Sequence, residues 1–72
     1  MTHAEIIAVK KLIRTLRDLA NQYRAWALEA HAKGNDAEFD RLAAICFEKR
    51  RLAKAHEDDV IIYGAQYGEY LE

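Results

Sequence analysis

Apolar residues recur at Val9, Leu12, Ile13, Leu16, Leu19, Ala20, Tyr23, Trp26, Ala27 and Ala30. This is the i, i+3, i+4, i+7 spacing of one helix face, sustained over about three heptads. A second stripe follows at Phe39, Leu42, Ile45, Cys46, Lys49, Leu52, Ala53, His56, Val60 and Tyr63, interrupted by two ionisable groups. Between the stripes lies Lys33-Gly34-Asn35-Asp36. It offers a cation for the carbonyls of a helix end, a glycine suited to the left-handed C′ position, and Asn35 or Asp36 as the next N-cap. Thr2-His3-Ala4-Glu5 has the spacing of a capping box at the start. With no proline and with glycine confined to positions 34, 64 and 68, nothing in either stripe breaks a helix. The pattern predicts an all-α chain: helix 1 over about 3–33, a turn at 34–35, helix 2 over about 36–63, and an acidic, tyrosine-rich tail over 64–72.

A connection this short makes the two helices antiparallel neighbours. If the turn centres near Gly34, position i faces roughly 69−i, which sets Ala30 against Phe39, Ala27 against Leu42, Tyr23 against Cys46, Leu16 against Ala53 and Val9 against Val60. Small residues mostly meet large ones, as interdigitated helices require. The same register brings Lys10, Lys11 and Arg14 towards Glu57, Asp58 and Asp59. The expected hairpin commits the whole of the first stripe to burial.

The apolar arc of helix 2 is wider than one neighbour can cover. It runs from Leu52 and Ile45 through Leu42 and Cys46 to Ala43, Phe47 and Ile61, about half the circumference against the ~100° of an ordinary surface helix. Seventy-two residues also make a marginal core, and small proteins offset this with disulfides, a metal or oligomerisation. Cys46 is the only cysteine, which excludes an internal disulfide, and it reads as a small buried hydrophobe. His3, His31 and His56 match no metal-ligand spacing. A homodimer in which two hairpins form a four-helix bundle is therefore expected, with Phe47, Leu52, Ile45 and Ile61 at its interface. No window approaches the apolar length of a membrane span, so a cytoplasmic protein with no membrane partner is expected.

Charge changes the picture locally. The net charge is −1, which gives no general attraction to nucleic acid. Yet Arg14, Arg17, Arg24, Lys49, Arg50, Arg51 and Lys54 cross the middle of the hairpin as a band that could neutralise several phosphates. Asp18 and Glu48 lie inside that band and Glu57, Asp58 and Asp59 beside it, so a solvated face with local ion pairs is the commoner outcome of such a pattern. Lys49 and His56, one heptad apart within the stripe, suit a binding device, a pH-sensitive contact or a register-fixing feature; Lys49 snorkelling past Ala20 and His56 sitting neutral at the seam edge is the commoner explanation. The tail places Tyr63, Tyr67, Tyr70 and Leu71 among acids, a docking segment for a basic, grooved partner. Alternatively its tyrosines close the open end of the hairpin.

There is no phosphate loop, nucleophile motif or convergent carboxylate pair, so neither an enzyme nor a cofactor is expected. Small size, excess apolar arc and acidic tail suggest a protein-binding module, an inhibitor or regulator that occupies a surface of a larger protein or complex, in the manner of phage- or plasmid-encoded factors. The alternative is a dimeric RNA- or DNA-binding regulator using the basic band. A short hairpin with a lone cysteine in helix 2 and an acidic end resembles the Rop-type plasmid RNA-binding dimers in architecture; no motif matches theirs, and no residue role is transferred.

Overall fold

A computed structural model describes residues 2–64, with side chains through Ile62. Two helices, α1 (His3–Ala32) and α2 (Asp36–Gly64), pack against each other along their length as an antiparallel hairpin. Among the described residues no helix is long and apolar enough to cross a membrane. Tyr67, Tyr70 and Leu71, together with the side chain of Tyr63, lie outside the described residues.

The ends of the helices are set by short-range chemistry. Thr2 is extended, and its hydroxyl accepts a hydrogen bond from the Glu5 amide at 3.2 Å, satisfying one of the donors a helix start leaves open. At the other end of α1 the Gly34 amide donates to the His31 carbonyl at 3.0 Å and the Asn35 amide to the Ala30 carbonyl at 2.9 Å. These two bonds are the Schellman pair, and they require the left-handed backbone that Gly34 supplies at φ 74. Asn35 then serves the second helix as well. Its side-chain oxygen accepts from the Glu38 amide at 3.2 Å and its carbonyl from the Phe39 amide at 3.0 Å, so one residue closes α1 and opens α2.

Two clusters form the core. Towards the open end, Ile6, Ile13, Leu16, Ala53 and Val60 are buried, with Val9 and Leu52 packed against them. Towards the turn, Ala27, Ala30 and Leu42 are buried beneath Tyr23, Phe39 and Ala43. The grouping of Leu16 with Ala53 and of Ala27 and Ala30 with Leu42 and Phe39 agrees with the register expected from the turn. Cys46 is a buried free thiol.

The first stripe is not buried as a whole. Leu12, Leu19 and Trp26 remain 42, 41 and 45 % exposed, and the residues that do fill the seam along the middle and the turn end include Ala20, Ala27, Ala30 and Ala53. A single neighbouring helix encloses only the residues that point straight at it. Side chains a quarter-turn away are pushed to the flank.

One ion pair joins the helices across the hairpin among those described, between Arg17 and Glu57. It lies a turn closer to the middle than Lys10, Lys11 and Arg14, which the charge pattern favours as partners for the acidic cluster. Glu57 is nearly shut off from water, with a carboxylate oxygen that meets no solvent. The other pairs are local: Lys33 with Glu29, Arg41 with Glu38, Arg51 with Glu48, and Lys54 with Asp58. Hydrogen bonds from Arg41 and Arg51 hold the Glu38 and Glu48 carboxyls below the usual carboxylate range. Being fully exposed, these two pairs do little for stability.

Asn35→Ala is expected to cost about 1 kcal/mol in urea unfolding, because it removes the cap of α2. Arg17→Ala is expected to cost about 1–3 kcal/mol by leaving the Glu57 carboxylate buried without its counter-charge. Adding Glu57→Gln to Arg17→Ala should recover most of that loss, a recovery that an ordinary surface pair would not show.

Candidate interaction surface

The seam divides the hairpin surface into two long flanks. On one, Leu12, Leu19 and Trp26 follow one another at heptad spacing along α1, so they share a face about 21 Å long. Tyr23 joins them, its ring packed edge-on against Trp26 with centroids 5.3 Å apart. Across the seam this flank meets α2 near the turn, where Tyr23, Trp26, Glu38, Arg41 and Leu42 line an open groove. Ile45 and Leu52 are half-buried, and they continue this side of α2 because they lie three and ten residues beyond Leu42, which keeps them on nearly one line. Lys49 and His56 are half-buried between the two helices, the only ionisable groups of the second stripe.

The opposite flank is mixed. Near the turn an apolar groove is lined by Leu28, Phe39, Ala43 and Phe47, with Cys46 on its floor and Arg24 and Arg50 at its end. Phe47 is 70 % exposed and Leu28 51 %. The next groove along, lined by Arg17, Asn21, Arg50, Ala53, Lys54 and Glu57, shares Arg50 with the first. Ile61 is exposed, and its spacing of two heptads from Phe47 puts it on the same side of α2.

The four residues expected at a single dimer interface are thus not brought together. Ile45 and Leu52 belong to the flank of Leu12, Leu19 and Trp26, whereas Phe47 and Ile61 project from the other. Two-residue and nine-residue offsets along a helix turn a side chain by roughly half a revolution, so an arc that looks continuous on α2 alone is split by the helix packed against its middle.

The basic band is divided too. Arg17, Arg50 and Lys54 line one groove and Arg24 and Arg50 the other, while Arg14, Lys49 and Arg51 line neither. Three of the seven cations are already paired: Arg17 with Glu57, Arg51 with Glu48, and Lys54 with Asp58. Arg14, Arg24 and Arg50 have no ion-pair partner among the described residues. Exposed aromatic rings are present at Trp26 and Phe47, on opposite flanks. Sequence reasoning passed over Leu28, although a leucine lying off the apolar stripe was the available signal.

Among the described residues no group of histidine, cysteine and carboxylate side chains is placed to hold a metal ion. The chemistry this surface offers is an apolar line bordered near the turn by Glu29, Lys33, Glu38 and Arg41 on one flank, and apolar contact bordered by guanidinium groups alone on the other. Comparisons with protein-family models, with curated proteins and with solved structures return no match, so no residue role comes to this chain from a relative.

Proposed function

We propose that the chain is a small non-enzymatic protein-binding module that works as a pair of hairpins, acting as an inhibitor or regulator by occupying a surface of a larger protein. One flank holds a second copy in a four-helix bundle, and the other is presented to the partner. The observation that carries this reading is the exposure of Leu12, Leu19 and Trp26 in a line beside half-buried Ile45 and Leu52. Covering the remaining two-fifths of each of the three exposed residues is worth about 1 kcal/mol apiece, a large increment for a chain whose total stability is expected at only several kcal/mol.

The choice of flank follows from charge. A symmetric dimer sets each surface against its own copy. On the flank of Leu28 and Phe47 this would bring Arg24 and Arg50 of both copies onto one interface whose groove lining holds no carboxylate to receive them. On the flank of Leu12, Leu19 and Trp26 the central stripe is apolar, with Lys49 and His56 near the seam, where their positions can select one register.

A dimeric RNA- or DNA-binding regulator is the second reading, favoured by the unpaired Arg14, Arg24 and Arg50. Against it, Glu57 and Asp58 sit among the cations that a phosphate backbone would need.

Solution mass at two protein concentrations, with and without a structured RNA and a duplex DNA at low and moderate salt, tests both readings. The proposal expects twice the chain mass and indifference to nucleic acid. Leu19→Glu and Trp26→Glu should give monomers, while Phe47→Glu should leave the mass unchanged. A salt-sensitive complex with RNA or DNA, lost on Arg24→Ala with Arg50→Ala, would establish the second reading in place of the first.

A further inference from the structure

The groove between Leu28 and Phe47 is polar at one end only. Arg24 precedes Leu28 by one turn of α1, and Arg50 follows Phe47 by three residues in α2. Because the helices run antiparallel, both offsets lead away from the hairpin turn, and both guanidinium groups line the same groove. The other end is closed by Phe39, whose ring packs against His31 with centroids 5.3 Å apart. Between them, half-buried Ala43 and buried Cys46 make a low floor, and Phe47 and Leu28 stand as exposed walls.

We infer that this groove is a docking site for an acidic amphipathic helix of a partner protein, one that lays apolar side chains between Leu28 and Phe47 and sets carboxylates, one turn further along, against Arg24 and Arg50. The inference deepens the protein-binding reading above and rests on it. A helix seated in the furrow between two antiparallel helices is a standard mode of peptide recognition, in which spaced apolar anchors give affinity. The arginines supply what an apolar furrow alone lacks, a direction. A guanidinium pairs with a carboxylate in a planar, two-pronged geometry, and two of them at one end fix which way the incoming helix runs.

Other occupants fit less well. A second copy of this chain would bring two more guanidinium groups to a groove whose lining holds no carboxylate to receive them, a like-charge excess that costs rather than contributes. A nucleic acid would find only Arg24 and Arg50 free here, since Arg17 and Lys54 in the next groove are held by Glu57 and Asp58, and the apolar floor offers a phosphate nothing.

The test is a titration of the ¹⁵N-labelled full chain with a synthetic helical peptide bearing leucines on one stripe and glutamates beside it. A peptide of the same composition in scrambled order, a structured RNA and a duplex DNA serve as further probes. Expected are amide shifts clustered at Leu28, Ala43, Cys46 and Phe47, weaker binding at higher salt, and no matching response to the scrambled peptide. Arg24→Glu with Arg50→Glu should weaken binding by about tenfold or more, and Phe47→Ala, an exposed position, by a similar factor. Lys11→Glu, a charge reversal remote from the groove, should not. Shifts that map to Leu12, Leu19 and Trp26, or affinity untouched by the double reversal, would overturn the groove assignment. A stoichiometric protein partner that ignores the double reversal would overturn it while leaving the protein-binding reading intact; tight nucleic-acid binding with no response to the peptide would overturn both.

Discussion

Among the described residues each helix has a single neighbour, and that constraint governs the rest of the molecule. One packed helix encloses only side chains aimed directly across the seam. Ala20, Ala27, Ala30 and Ala53 meet that condition together with Ile6, Ile13, Leu16, Leu42, Cys46 and Val60. Apolar side chains slightly off axis, Leu12 and Leu19 among them, stay on a flank. One cause thus produces a thin core and two surfaces with apolar content of different character.

The two flanks differ in what accompanies the apolar side chains. Beside Leu12, Leu19 and Trp26 there is little charge at the centre, and a surface of that kind is compatible with its own copy. Beside Leu28 and Phe47 there are arginines, which makes self-contact unfavourable and an acidic partner favourable. The Arg17–Glu57 pair sharpens the distinction, because it removes one cation from the available set and ties the helices together. The proposed division of labour between a flank for assembly and a flank for recognition needs no additional element. It follows from where charges fall around helices whose facing sides are already used.

Much of the architecture was legible from residues. Thr2, Gly34 and Asn35 announce their roles through chemistry that acts over three or four positions, and the turn they define fixes the register that joins Leu16 to Ala53 and Ala27 to Leu42. Burial was less legible, because a stripe drawn on one helix does not say how much of it a single neighbour can cover. Leu12, Leu19 and Trp26 read as core by spacing, yet they lie to one side of the residues that face α2. The same limit made Phe47 and Ile61 look continuous with Ile45 and Leu52, when the packed helix runs between the two pairs. The basic band was visible as composition, and spacing along one helix is enough to pair Arg51 with Glu48 and Lys54 with Asp58; the Arg17–Glu57 pair depends on how the two helices meet, which that spacing does not reveal.

Trp26 is the chain's only tryptophan and stands on the flank assigned to the second copy, so its environment reports directly on the central claim. Fluorescence emission and iodide quenching should be followed across a wide dilution series of the full chain. A second copy on this flank predicts a blue-shifted, quencher-protected Trp26 at high concentration, reverting to an exposed indole on dilution or in Leu19→Glu. An indole equally open to iodide at every concentration would contradict the account.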